Sequence, residues 1–375
     1  MRQFDYSITP DSLRQDSVTS LLLEARECKG RQVVLENVKP DILESLIEQA
    51  KFASTEASNR IEGIVTTQAR LRGLMQESTA PKNRSEAEIA GYRDMLGLIH
   101  EQHDYIDVKP SVILQLHRGL FAHTSLSFGG SWKTADNQIV SRAADGTMHV
   151  RFQPTSAFET PAAVEQLCET YRSTIAQGVV DPLLASVRFI FDFVSIHPFN
   201  DGNGRMSRLL TVLLLERCGY LVPQYISIEK LIEVNKELYY EALGNSSAGW
   251  QDGTNDEAPF VRYMLGTIIS AYRELFGRVE QTGSGSKADR IDALFARSIG
   301  KVTKADIREA CPDISVSTIE RELKRLLDAG AIYKVGAGRS TGYVAKRNAS
   351  SRESAQRIRS VFDGKAVGGH LEQEA

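Results

Sequence analysis

The chain has 375 residues, 42% of them apolar and 25% charged, with a formal net charge of −3. This is the profile of an ordinary folded protein of two or three domains, and it excludes a whole-chain attraction to nucleic acid or anionic membranes. Cys28, Cys168, Cys218 and Cys311 lack C-x-x-C spacing, which argues against a disulfide framework or zinc site and for a reducing compartment. MRQFDYSITP contains no h-region, and the longest apolar run, Leu209 to Leu215, is far shorter than the about 20 residues a membrane span needs. The expected location is the cytoplasm, with no membrane contact.

Helical spacing dominates up to about residue 128. Asp41–Lys51 places apolar residues at 42, 43, 46 and 47 on one face, and Ser111–Phe121 repeats the pattern. Between them, Ser58-Asn-Arg-Ile-Glu-Gly63 reads as a helix end with Gly63 at C′. Read alone, Glu62 is a solvated surface charge. From Phe128 to Pro154 the pattern changes to loops and a small β-hairpin, with runs at Gln138–Val140 and Met148–Val150 around Asp145-Gly146. Helices resume at Pro161 and continue to about Val279. Asp181 is the expected N-cap, and Pro182 the first turn, of a helix ending at Ile196. His117 reads as a structural histidine on a packed helix, and His100, His103, His123 and His149 show no metal spacing. Gln281–Ser286 is a linker by composition. After it, Ala288–Ser298, Thr303–Ala310 and Ser315–Ala329 read as helices, and Ile332–Val335 and Thr341–Ala345 as strands turning at Gly336-Ala-Gly338. That order predicts a helix-turn-helix with a wing. Residues 348–375, rich in Ser, Arg, Gln and Glu, read as a loosely ordered tail.

The densest chemistry lies in Ile196-His-Pro-Phe-Asn-Asp-Gly-Asn-Gly-Arg-Met-Ser-Arg208. Pro198 disfavours helical dihedrals at His197, so the helix stops there. The next starts near Asn203, with apolar residues at 206, 209, 210, 213 and 214. Phe199 is expected to plug into the core and hold the turn still. Gly202 and Gly204 lack Cβ atoms, so backbone N–H groups at the positive end of the second helix can converge on an anion. Arg205 and Arg208 lie three apart, on one helical face, and suit phosphate oxygens. Asp201 is a hard oxygen ligand suited to Mg²⁺, and His197 can accept a proton near neutral pH. Taken singly, each residue is more often structural. Together they supply a base, a metal ligand, an anion cradle and two cations. No G-x-x-x-x-G-K-[ST] is present, which excludes a P-loop ATPase.

The stretch resembles the Fic (Fido) signature, H-x-F-x-[DE]-G-N-G-R-x-x-R, at His197, Phe199, Asp201, Gly202, Asn203, Gly204, Arg205 and Arg208. The resemblance covers about residues 1–275. It implies a mainly α protein: a Fic-type helical core with a small β-hairpin flap, followed by the winged helix-turn-helix. The expected organisation is a helical region over 1–100, the catalytic core over 101–279, a linker over 280–286, the winged helix over 287–347 and the tail over 348–375. The resemblance further implies transfer of AMP from ATP, with Mg²⁺, to a hydroxyl of a target protein. His197 would be the base, Asp201 the metal ligand and Gly202–Arg208, including Met206 and Ser207, the nucleotide cradle. The intact Gly-Asn-Gly-Arg core favours nucleotidyl over phosphoryl transfer.

Three further segments gain roles from the resemblance. SNRIEG matches the inhibitory motif [ST]-x-x-x-E-[GN] at Ser58, Glu62 and Gly63, which implies a brake in which Glu62 pairs with Arg208. The same carboxylate could orient a water to remove AMP, which the residues leave open. Phe128–Arg142 sits where Fic proteins carry their flap, with Trp132, Ile139 and Val140 apolar enough to line it; its strand edge could register a target segment. Asn235–Leu243 resembles the segment whose aromatic borders the adenine, here Tyr240.

Residues 287–347 carry 13 Lys and Arg against 8 Asp and Glu, opposite in sign to the whole chain. Ser315, Ser317, Thr318, Arg321, Lys324 and Arg325 could face a major groove and Arg339 a phosphate, but Glu320 and Glu322 would repel DNA. The alternatives are therefore a DNA-binding regulator whose core senses nucleotide, or another nucleotide donor. A homodimer and self-modification also stay open.

Overall fold

The computed structural model describes residues 2–38, 40–142, 148–283, 287–298, 300–311, 314–336 and 341–346. The expected tail, part of the linker and the wing tip with Arg339 lie outside the described residues. Four helices come first: α1 (Asp16–Val38), α2 (Pro40–Ile61), α3 (Gln68–Met75) and α4 (Arg84–Gln102). Then come α5 (Pro110–Leu120), the hairpin β1 (Ile139–Arg142) and β2 (Met148–Phe152), and α6 (Thr160–Gln177). The pair α7 (Pro182–Ile196) and α8 (Asn203–Arg217) is next. Beyond it lie α9 (Val222–Tyr225), α10 (Ile228–Val234), α11 (Lys236–Ser247) and α12 (Ala258–Gly283). The C-terminal unit holds α13 (Lys287–Arg297), α14 (Lys304–Ala310), α15 (Val316–Asp328), β3 (Ile332–Val335) and β4 (Gly342–Ala345).

Local chemistry sets many of these starts. Asp181 caps α7 by accepting from the Leu183 and Leu184 N–H groups, with Pro182 in the first turn, as the sequence predicts. Asn83 caps α4 through the Glu86 N–H, and Ser227 caps α10. Thr303 and Asp306 form a reciprocal capping box on α14.

Every residue of α7 from Leu183 to Ile196 is buried. The helix is walled by α6, α8 and α12, while α8 also meets α2, α4 and α9. One continuous hydrophobic core runs from Phe4 through α1, α2 and α4 to Val279. The region before residue 100 therefore shares its core with the helices from α5 to α12. A second core, including Ile291, Phe295, Ile307, Ile319, Leu323 and Tyr343, belongs to the C-terminal unit. There β3 pairs antiparallel with β4, and Val302 bridges Tyr343. The four cysteines are free thiols. Among the described residues, no helix is long and apolar enough to cross a membrane.

The N-terminal segment is fixed beneath α7 by a buried polar cluster. Asp192 accepts from the Tyr6 hydroxyl and the Trp250 indole, both at 2.7 Å. Burial raises its carboxyl to about 6. Arg188 on the same helix pairs with Glu257 at 2.6 Å and donates to the Ile8 and Asp5 carbonyls. Its guanidinium also lies 4.7 Å from the Tyr6 ring centre. An uncompensated buried carboxylate is costly, so Arg188→Ala is expected to lower stability by about 3–5 kcal/mol in guanidinium unfolding. An unchanged midpoint and slope would show that the segment is held some other way.

Candidate active site

The turn between α7 and α8 is built to be stiff. His197 ends α7 in the left-handed region, at φ 51°, while its N–H still donates to the Phe193 carbonyl. Phe199 is fully buried, stacked on His117 with ring centres 3.7 Å apart and on Trp132 at 5.3 Å. Asn203 locks this wedge: its Oδ1 accepts from the Phe199 N–H at 2.9 Å and its Nδ2 donates to the Phe199 carbonyl at 2.8 Å. His117 Nε2 donates to the Asp201 carbonyl at 3.0 Å and its Nδ1 accepts from the Gly130 N–H, so one neutral tautomer fits. Burial lowers this imidazole to about 4. His117 is thus a brace for the turn, with both ring nitrogens engaged by backbone.

The segment leading into β1 supplies a second clamp. The Lys133 N–H donates to the Pro198 carbonyl at 2.8 Å, and its Nζ donates to the Ile196 carbonyl and Asn137 Oδ1. Asn137 Nδ2 reaches the Phe199 and His197 carbonyls. Lys133 is only 3% exposed, and burial lowers its ammonium to about 8.

Arg208 is buried and directs its donors at the end of α2. Nε donates to the Ser58 hydroxyl at 2.8 Å, and Nη2 donates to the Ser58 carbonyl at 2.9 Å and Glu62 Oε1 at 2.8 Å. Burial opposes the Arg208 cation, but Glu62 outweighs it and the pKa rises. Glu62 is depressed for the reciprocal reason, burial again opposing. The carboxylate lies directly on Gly204, and Glu62 Oε1 leaves no room there for a Cβ.

Arg205 turns elsewhere. It lies over the Phe121 ring, pairs with Glu88 of α4 at 2.5 Å and approaches Asp201 Oδ1 at 3.5 Å. The expected common phosphate face of Arg205 and Arg208 is thus divided, because buried Glu88 holds one cation and the partly exposed Glu62 the other, each on its own side of α8. Asp201 Oδ1 accepts from the Gly202 N–H at 2.6 Å, and Oδ2 accepts from Arg84 at 2.7 Å.

A cavity of about 210 Å³ opens on the turn, lined by His197, Asn203, Gly204, Ser207 and Arg208, with Glu62 at one side. Tyr239, Tyr240 and Leu243 of α11 and Ile139 and Phe152 of the hairpin complete its apolar wall. Tyr240 thus sits in the same cavity as the imidazole. Met206 is fully buried in the core, and Trp132 backs Phe199 instead of lining the cavity. Gly202, Asp201 and Arg205 do not line it either. The Val140 side chain lies outside the described residues. His197 is lowered to about 4 by burial first and by the Lys133 charge second, so the imidazole is neutral at pH 7.

Among the described residues, no group of three or more His, Cys, Asp or Glu side chains could hold a metal. Asp201 alone still fits Mg²⁺, which commonly uses one or two carboxylates and completes its shell with water and phosphate. Its half-exposed carboxylate already attracts two cations, Arg84 at 2.7 Å and Arg205 at 3.5 Å. Sequence reasoning missed Arg84, Glu88, Lys133 and Asn137. Arg84 and Glu88 show only a surface-like i,i+4 charge pattern, and Lys133 only a basic residue inside an aromatic-rich loop.

Residues 106–215 match the Fic/DOC family model. Among curated proteins, the chain is 29% identical over 221 residues to the protein adenylyltransferase Fic of Drosophila yakuba, covering 58% of this chain and 40% of that protein. It is 28% identical over 214 residues to the protein of the same name from Culex quinquefasciatus, covering 54% of this chain and 37% of that one. The chain therefore spans about 40% of the length of the curated relatives it matches. Its fold is similar to a solved Fic family protein from Desulfovibrio desulfuricans G20, with TM-score 0.59, 23% identity, 93% of this chain and 100% of that one covered. A Fic-domain signalling protein from Bacteroides thetaiotaomicron gives TM-score 0.56 at 24% identity, over 68% of this chain and 97% of that one.

Removing the Lys133 charge while keeping its apolar stem should let His197 protonate more readily. Lys133→Met is expected to move the His197 titration upward from about 4, read from its ring C–H resonance by NMR. An unmoved titration would show that burial alone depresses it.

Proposed function

We propose that this chain, carrying a Fic/DOC segment at residues 106–215, is a protein adenylyltransferase held in an inhibited state. The observation that carries the reading is the Glu62–Arg208 ion pair over Gly204, inside the cavity that also holds His197 and Tyr240. A triphosphate laid across Gly202–Arg208 would compete with the Glu62 carboxylate for the same guanidinium. The names of the curated relatives and the match of the motif turn support AMP as the transferred group.

In the reaction, the oxygen of a Ser, Thr or Tyr hydroxyl attacks the α-phosphorus of ATP. The bond to pyrophosphate breaks, and the hydroxyl proton passes to His197. The neutral imidazole is available as base at pH 7, and nearby phosphate charge raises its basicity from the depressed value. Ser207, Gly204 and Arg208 would meet the phosphates and Tyr240 the adenine, in the cavity that all four line with His197. Asp201 would hold Mg²⁺, whose charge would stabilise the leaving pyrophosphate. The rigid turn keeps the imidazole fixed relative to the phosphates, because Phe199 and Asn203 leave it little freedom.

Glu62 blocks this arrangement by occupying Arg208 and placing negative charge where phosphate belongs. Its place in the same cavity as the imidazole also suits activation of a water for AMP removal, a second use of the same carboxylate. The hairpin is read as the target flap.

The C-terminal unit is read as a winged helix. Its α15 displays Arg321 and Lys324, but Glu322 pairs with Arg321 and Arg325, and Glu320 with Lys304. Two of the basic residues of α15, Arg321 and Arg325, are therefore engaged by carboxylates within the unit, which favours protein recruitment, or pairing of two copies, over DNA binding.

With α-labelled ATP and a cell lysate, Glu62→Gly is expected to raise labelling on the order of 10²-fold, as relief of a misaligned phosphate. His197→Ala added to it should lower labelling about 10²–10⁴-fold. Label that persists after loss of His197, or a folded Glu62→Gly protein no more active than the parent, would reject the reading. γ-Labelled ATP should leave no label on protein.

A further inference from the structure

The motif turn and the start of α4 form a closed ring of four alternating charges. Arg84 Nε pairs with Glu88 Oε1 at 2.5 Å, and Glu88 Oε2 pairs with Arg205 Nη1 at 2.5 Å. Arg205 Nη2 approaches Asp201 Oδ1 at 3.5 Å, and Asp201 Oδ2 accepts from Arg84 Nη2 at 2.7 Å. The ring is neutral, but its members are not equally wet. Glu88 and Arg205 side chains are 3% and 1% exposed, whereas Arg84 and Asp201 are 58% and 42% exposed.

We propose that Arg84 is a positioning residue that couples phosphate capture by Arg205 to divalent-cation binding by Asp201. This rests on the reading of Asp201 as the Mg²⁺ ligand. Without nucleotide, Arg84 stands on Asp201 in the place of a metal and discourages a free divalent cation from binding there. When a phosphate draws Arg205 off Glu88, two carboxylates are left sharing one cation. The buried carboxylate has the greater need, because unpaired charge costs more away from water. Arg84 therefore shifts wholly to Glu88, which it already touches, and Asp201 regains an oxygen for Mg²⁺. The metal site is thus opened by arrival of the nucleotide. The geometry is compatible with this exchange because Arg84 donates to both carboxylates from different nitrogens, so neither pairing must be built anew.

The test is the magnesium dependence of ADP binding to the full chain, measured calorimetrically with Mg²⁺ and with a chelator. Arg84→Gln leaves Asp201 open before nucleotide arrives, so Mg²⁺ no longer favours the ADP-bound form as strongly and the ratio of the two affinities is expected to fall about two- to fivefold, the range for exposed ion pairs. Arg84→Lys keeps the charge and should restore the parental ratio. Asp201→Asn should make ADP affinity independent of Mg²⁺ in either background. A purely structural role for Arg84 would change both affinities together and leave their ratio alone. An unchanged ratio in Arg84→Gln, with Asp201→Asn flat, overturns the Arg84 proposal and spares the metal reading. Magnesium dependence that survives Asp201→Asn overturns the metal reading, and the proposal with it. Thermal melting of each variant confirms that the folded chain is being compared.

Discussion

A guanidinium removed from water requires a counter-charge, and two of them flank the motif turn. Arg205 and Arg208 are both buried at the start of α8. Each is neutralised by a carboxylate from the N-terminal helices, Glu88 for one and Glu62 for the other. The two carboxylates are not equivalent. Glu88 lies in the interior and is part of the wall, whereas Glu62 sits at a helix end with a third of its side chain exposed. One counter-ion is enclosed by the interior, and the other stands at the side of the cavity, in reach of solvent.

The same constraint explains the stiffness of the turn. A cradle of glycines can receive phosphate only if it does not collapse, and glycine contributes nothing to its own rigidity. Here rigidity is imported. The Phe199 ring is pressed between His117 and Trp132, Asn203 ties the backbone of the wedge to the first turn of α8, and Lys133 holds the carbonyls on the α7 side. Beneath α7, the Asp192 and Arg188 cluster ties that helix to the N-terminal segment and to Trp250. The His197 imidazole is thus set at the end of a helix anchored along both its length and its cap.

Much of this was legible in the sequence, because its causes are local. Asp181-Pro182 marked the start of α7, Pro198 marked its end, and the spacing of apolar residues located α8, α13, α14 and α15 within a residue or two. Phe199 as a wedge could be inferred from an apolar residue stranded in a polar turn. What escaped was set by partners distant in sequence. Arg205 meets a glutamate more than a hundred positions away, and nothing near either residue announces it. Asn203 reads as a phosphate contact, yet its amide is consumed by the backbone of Phe199, a pairing visible only once the turn is closed. Lys133 carries no local sign that its ammonium is buried under the imidazole's own backbone.

The shared hydrophobic core bears on how the proposed brake could be released. Because α2 is knitted into the same interior as α7 and α8, Glu62 cannot leave by departure of a separate module without exposing that interior. The least disruptive route is fraying of the last turn alone. The turn ends at Gly63, at φ 77°, and is held by the Glu62, Gly63 and Ile64 N–H bonds to the Asn59 and Arg60 carbonyls, by Lys236 Nζ on the Ile61 carbonyl and by the Glu62–Arg208 pair. Activation would then be a local melting event, tunable by whatever steadies or unsettles a few residues at one helix terminus.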